Sequence, residues 1–392
     1  MHLDRRELIA MGGALAATAA FPGPALSAGR TFPKGFLWGA ATAGHQVEGN
    51  DTASDTWFLA NIKPTVFAEP AGDAANSFML WAEDLDVCRN MGLNAYRFSV
   101  EWSRIEPERG LVSQAMLDHY KRIVDGCRAR GLAPVVTFSH FTSPRWFAAA
   151  GGWLNPEAPD LFAAQCERVM RAMGDGISHA VTFNEPNLFR LLDGLLPPQV
   201  RELERATLTR AAELTGSTHF VASNVVRPED NDGLERGLLN GHARARQAIK
   251  ALRSDLPVGC SLAMVDEQAV RGGEAMRDRT RERLYGAWLK AVRGDDFLGV
   301  QNYERRVWGP KGRVAPAPNE TRSQTGQEVH APSLAGAVRY AHEATGVPIF
   351  VTEHGVSSDN DALRAALISE ALGHLHGASR RACRCWAIAT GR

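Results

Sequence analysis

Short apolar runs alternate with amphipathic stretches from residue 32 onward. Seven runs have the length and composition of strands: FLWGAATA (36–43), LNAYRFSV (93–100), PVVTFSH (134–140), AVTFNEP (180–186), PVGCSLAM (257–264), FLGVQNY (297–303) and PIFVTEHG (348–355). Between them apolar positions recur every three or four residues, the period of a helix with one buried face. SFMLWAEDLDVCRNMG, MLDHYKRIVDGCRARG and LFAAQCERVMRAMG are the clearest cases. Each closes on Gly, the usual residue just past a helix C-terminus. Several strands are apolar throughout, as parallel strands covered on both faces are. Strands alternating with helices predict a parallel sheet. A chain of 392 residues has room for a barrel domain, which typically needs about 250. The expected class is α/β and the expected architecture a (β/α)8 TIM barrel. No Gly-rich phosphate loop follows the first strand, which disfavours an open dinucleotide-binding sheet.

Chemistry in such barrels gathers at the C-terminal ends of the strands. Those ends carry Gln46 and Glu48 just past the first, then Arg97, His140, Asn184 with Glu185, Tyr303, and Glu353 with His354. The opposite ends carry mostly Gly, Leu, Ala and Pro. A lone strand-end Glu is as readily a structural ion pair as a catalyst. Two of them on strands four and seven face each other across a barrel mouth. Opposed carboxylates are what glycoside hydrolysis requires: one protonates the leaving oxygen, the other attacks or stabilises the anomeric carbon.

Four motifs occur in order: FPKGFLWGAATAGHQVEGN, YRFSVEWSRIEPERG, TFNEP and VTEHG. Together they resemble glycoside hydrolase family 1, the retaining β-glucosidase and β-galactosidase family, over about residues 32–378. The resemblance implies a retaining double displacement on terminal β-linked sugars, with no metal and no cofactor. It assigns Glu185 as acid/base and Glu353 as nucleophile. Arg97 and Tyr303 would support the nucleophile, and Asn184 would hold the sugar 2-hydroxyl. Gln46 and His140 would bind hydroxyls further round the ring. Trp38 and Trp102 are candidates for the floor of the site, although core packing explains them as well. Two neighbouring carboxyls should titrate apart, giving a bell-shaped pH profile. The chain departs from the family pattern at His45, where an aromatic residue is usual, and at Gln301 and His354, where Asn is usual. HFTSP replaces the commoner H-W-D-L-P. These departures bear on sugar and aglycone preference.

The end of the chain breaks the pattern. The family resemblance calls for an eighth strand similar to G-Y-x-x-W-S-L-x-D-N-x-E-W, but residues 379–392 read SRRACRCWAIATGR. Arg380, Arg381 and Arg384 crowd one short run, a composition unlike a buried strand. GC-rich codons for IAEGVPVLGYCHWSL, read one base late, translate as those same fourteen residues. The expectation is a frame-shifted tail and a barrel missing its eighth strand and final helix. That leaves two alternatives to an active glycosidase: an impaired or unstable product of a damaged gene, or a non-catalytic carbohydrate-binding barrel. Tight sugar binding without turnover would mark the second.

The first thirty residues stand apart from the repeat. MHLDRRE carries Arg5 and Arg6, LIAMGGALAATAA is apolar and small, and FPGPALSAGR holds a helix breaker before small residues. This is the layout of an export signal of the twin-arginine type. It implies domains of 1–30 (signal), 31–378 (barrel) and 379–392 (anomalous tail), recognition by the twin-arginine machinery, and a periplasmic or secreted enzyme. Formal net charge is zero, so nothing electrostatic points to nucleic acid or to an acidic membrane surface. Cys88, Cys127, Cys166 and Cys260 lie in apolar helices or strands without ligand spacing and read as buried thiols. The His residues show no metal-ligand spacing either.

Overall fold

The structure, a computed structural model, describes residues 32–379 and the backbone of a strand at 385–390. The expected signal at 1–30 lies outside the described residues, as do 380–384 and the last two residues of the tail.

The seven expected strands are present: β1 (Leu37–Ala41), β2 (Ala95–Ser99), β3 (Ala133–Ser139), β4 (His179–Asn184), β5 (Val258–Ala263), β6 (Phe297–Asn302) and β7 (Ile349–His354). Every residue of β2, β5 and β6 is buried, which is why these runs show no polar alternation. Helices follow: α1 (Ser77–Asn90), α2 (Gln114–Ala129), α3 (Ala158–Met173), α4 (Asn231–Leu252), α5 (Glu274–Arg281), α6 (Ser333–Thr345) and α7 (Asp361–Ser379). Helix α2 shows the local logic. Ser113 caps it by accepting the Met116 N–H, and Leu117, Tyr120, Ile123, Val124 and Cys127 form its buried stripe. Helix α6 stops at Gly346, whose φ of 75° is left-handed.

The seven expected strands form most of a parallel barrel, and a short run near the chain end is placed beside them. Cys385–Thr390, here β8, lies between β1 and β7 and pairs parallel with both. The ring closes in the order β1-β8-β7-β6-β5-β4-β3-β2. Arg380, Arg381 and Arg384 all precede the strand, while CWAIAT itself is a short, uncharged, mostly apolar run.

Inside the ring, Val135, Val181, Phe297 and Phe350 form a buried cluster with Leu37 against it. The His179 ring meets Phe297 and Phe350 edge-on. Outside β4, Phe162 stacks on Phe183 at 4.7 Å and Trp153 meets both rings edge-on, at 5.4 and 5.0 Å. Fully burying such a side chain contributes roughly 1.5–3 kcal/mol. Helix α4 approaches this layer through Gly237, where a Cβ would stand 1.9 Å from the Trp153 carbonyl oxygen. Only glycine permits that approach. The four cysteines expected to be buried thiols are free and buried.

The stretch from 186 to 232 folds as helices Leu188–Leu192 and Pro198–Thr215 joined by loops. A three-stranded sheet of Asp266–Ala269, Arg305–Gly309 and Gly312–Val314 extends beyond β5 and β6. Among the described residues no helix is long and apolar enough to cross a membrane.

Candidate active site

The two expected catalytic residues stand where strand pairing shifts register. The β4–β5 register shifts between Val181 and Asn184, and the β7–β6 register shifts between Val351 and Glu353. Such irregularities re-aim side chains at a barrel rim. Glu185 N–H still reaches the Ser261 carbonyl at 2.7 Å. The chain then turns at Glu185 itself, whose φ is +44°. A left-handed, non-glycine residue stores roughly 1–3 kcal/mol of strain, typically where function fixes a side chain.

Arg97 is the hub. Its Nε donates to Thr137 Oγ1 at 3.0 Å. Its Nη1 donates to Glu353 Oε1 at 2.5 Å, and its Nη2 to Asn184 Oδ1 at 2.7 Å. One guanidinium, 1% exposed, thus ties β2 to β3, β4 and β7. Tyr303 Oη donates to the other oxygen of Glu353 at 2.5 Å. Burial and the Glu353 and Glu185 charges hold the Tyr303 phenol well above its ordinary pKa, so it stays a donor. Glu353 therefore has a partner on each oxygen, one cationic and one neutral.

Glu185 is held differently. Burial, then the Glu353 charge, push its pKa up to about 8, against the lowering effect of Arg97. It is the protonated partner at neutral pH, as a general acid must be. His140 is buried, and burial together with Arg97 keeps its pKa well below the ordinary value. It is a neutral imidazole whose Nδ1 finds no protein partner among the described residues.

The sequence-based candidates Arg97, Asn184, Tyr303 and Glu353 are joined by hydrogen bonds. Glu185 and His140 join the group electrostatically. Gln46 does not join it by hydrogen bonding: its side chain is exposed on the turn Gly44–Val47. Trp102 is core, packed on Trp146, Phe147 and Phe162. Glu48 is buried against Arg104 (2.9 Å) and Tyr120 (3.0 Å), away from the carboxylate pair's network.

Sequence reasoning missed the polar seam beneath the rim. Gln301 Nε2 donates to Asn184 Oδ1 at 2.5 Å and to Ser261 Oγ at 2.9 Å. Ser261 Oγ lies 2.5 Å from Thr352 Oγ1. Small polar residues inside otherwise apolar strands were the available signal. Among the described residues no group of three or more His, Cys, Asp or Glu is placed to hold a metal.

A closed parallel barrel with paired carboxylates and a guanidinium at its C-terminal rim defines a (β/α)8 glycoside hydrolase. The sequence profile of glycosyl hydrolase family 1 matches residues 28–228, and the chain belongs to that family. A β-glucosidase of Agrobacterium sp. is 31% identical over 362 residues, covering 83% of this chain and 76% of the relative. β-Glucosidase A of Thermotoga maritima is 34% identical over 239 residues, 57% of this chain and 53% of its own length. The apo structure of a β-glucosidase superposes with a TM-score of 0.86 at 35% identity, covering 91% of this chain and 88% of that one.

Proposed function

We propose that the protein hydrolyses terminal β-linked sugars, β-glucosides among them, with Glu353 as nucleophile and Glu185 as acid/base. In the first step Glu353 attacks the anomeric carbon while Glu185 gives its proton to the glycosidic oxygen. The bond to the aglycone breaks, the alcohol leaves, and a glycosyl ester forms on Glu353. In the second step Glu185, now a carboxylate, takes a proton from water. That water attacks the anomeric carbon and releases Glu353 with retained configuration. Arg97 and Tyr303 orient the nucleophile, Asn184 meets the 2-hydroxyl, and Gln46 and His140 bind other sugar hydroxyls.

The observation that carries this reading is the asymmetry of the two glutamates. Glu353 is gripped on both oxygens by Arg97 and Tyr303, whereas Glu185 is pushed up to about 8 by burial and by Glu353. The test is a 2-deoxy-2-fluoro-β-glucoside with a good leaving group, which slows the second step and accumulates the ester. Peptide mass mapping should place the sugar on Glu353. A label on another residue would overturn the assignment.

The paired Arg5 and Arg6 before an apolar stretch support export by the twin-arginine route to the periplasm or beyond. N-terminal sequencing of the protein recovered outside the cytoplasm should begin near residue 30. Recovery only from the cytoplasm, with the leader intact, would refute it.

A further inference from the structure

Three hydrogen bonds converge on one amide at the rim. Arg97 carries only donors, so the Asn184 atom that faces its Nη2 at 2.7 Å is the carbonyl oxygen. Gln301 Nε2 reaches the same oxygen at 2.5 Å. Its second hydrogen goes to Ser261 Oγ at 2.9 Å, which leads on to Thr352, the residue before Glu353. Both hydrogens of the Gln301 amide are therefore used. Turned round, Gln301 would set its own oxygen against Asn184 Oδ1, acceptor to acceptor. Gln301 and Asn184 are both buried, at 1% and 4% exposed, where such a mismatch is not relieved by water.

We propose that Gln301 is a positioning residue: by supplying the second donor to Asn184 Oδ1, it fixes the Asn184 amide with its Nδ2 end presented to the sugar. This rests on the reading of Asn184 as the partner of the sugar 2-hydroxyl. Arg97 alone sets which end of the amide is oxygen, but one bond leaves the amide plane free to tilt. Two bonds from different strands, β2 and β6, hold that plane. The donor aimed at the 2-hydroxyl is then in place before substrate arrives, and no reorganisation is needed in the transition state. The residue is a departure from the family pattern: Gln is one methylene longer than the usual Asn, and here its amide spans Asn184 and Ser261 together.

The test compares kcat/KM for p-nitrophenyl β-glucoside and for its 2-deoxy analogue in the full chain and in Gln301→Glu and Gln301→Leu. Glu keeps the shape but puts an oxygen where Nε2 donates; Leu removes the donor without adding charge. The glucoside-to-2-deoxy ratio should fall about tenfold, the equivalent of 1.36 kcal/mol, in both variants. Thermal melts identify any variant that fails to fold, in which case the other carries the test. Loss of rate on both substrates with the ratio unchanged would make Gln301 merely structural and overturn the inference. A wild-type ratio near one would instead remove the 2-hydroxyl contact from Asn184, and the inference would fall with that reading.

Discussion

Arg97 and Glu353 meet at 2.5 Å, Nη1 to Oε1, joining β2 to β7 with the arginine buried. The same guanidinium holds Asn184 and Thr137. Arg97→Met should therefore act on stability and rate together. Removing one partner of a buried pair costs about 3–5 kcal/mol, because the other charge stays behind without compensation. Urea unfolding should show that loss. kcat should fall by at least about a hundredfold, since the Glu353 carboxylate and the Asn184 amide lose a shared anchor. A variant of normal stability and activity would show that the pair is incidental.

With Glu185 as the proposed acid, its ionisation should set the alkaline limit of the reaction. Its pKa is raised to about 8, first by burial and then by Glu353. The first step needs the protonated form, so activity should be full below that value and lost as pH rises through it. In Glu185→Gln the alkaline limb should vanish. The rate should drop about 100- to 10,000-fold on substrates whose leaving group needs a proton. Dinitrophenyl glycosides, which leave without help, should suffer far less in the first step. Equal losses on both substrate classes would argue that Glu185 does not act as the acid.

How much of this was legible beforehand follows from what each residue shows in the chain. Strands β1 to β7 announce themselves as short apolar runs, and Glu185, Glu353, Arg97 and Tyr303 sit at their ends. Gln301 shows in the chain only as a departure from the family pattern and Ser261 not at all, because a polar residue within an apolar strand looks alike whether it lines the barrel or spoils it. Glu48 looked like a rim residue, yet Arg104 and Tyr120 bury it. Three arginines dominate the composition of the tail, and all of them precede β8. Whether those residues come from a shifted frame is a property of the gene. Sequencing from codon 370 past the stop tests it, and a native frame with no W-S-L-x-D-N-x-E-W alternative would refute it.

A second carboxylate group, apart from the catalytic pair, should govern stability. Glu101 accepts hydrogen bonds from Ser99 Oγ at 2.6 Å and from Thr142 Oγ1. Burial, then Asp51 and Glu48, raise it from 4.5 to about 8. Burial also raises Glu48 to about 7, against the opposing charge of Arg104. Raised carboxyls mean that the folded state keeps protons the unfolded chain has released. Stability is therefore greatest near and below the ordinary carboxyl range, as far as these groups are concerned, and falls as pH rises toward about 8. The melting temperature should decline across that window. Glu101→Gln, which mimics the protonated form, should flatten the decline. An unchanged slope in the variant would clear Glu101 of this role.

Closure of the barrel rests on the backbone of β8. Ala387 and Ile388 pair with Leu37 and Trp38 of β1 on one side, and Ile388 pairs with Val351 of β7 on the other. A strand with neighbours on both sides has no free edge, and proline in such a strand removes a ladder donor that nothing replaces. Ile388→Pro should open the ring between β1 and β7, exposing two unpaired edges that invite aggregation. Glu353 stands two residues beyond Val351 on β7, so the opening should also loosen its carboxylate. The expected result is a large loss of soluble protein and of cooperative unfolding. A substitution at Gly326, in an exposed loop with open space around its Cα, is the comparison; because φ there is +78°, Asn is the replacement of choice. If Ile388→Pro melts as cooperatively as Gly326→Asn and as the parent, then the tail does not close the barrel in solution, and β1 and β7 must be protected in some other way.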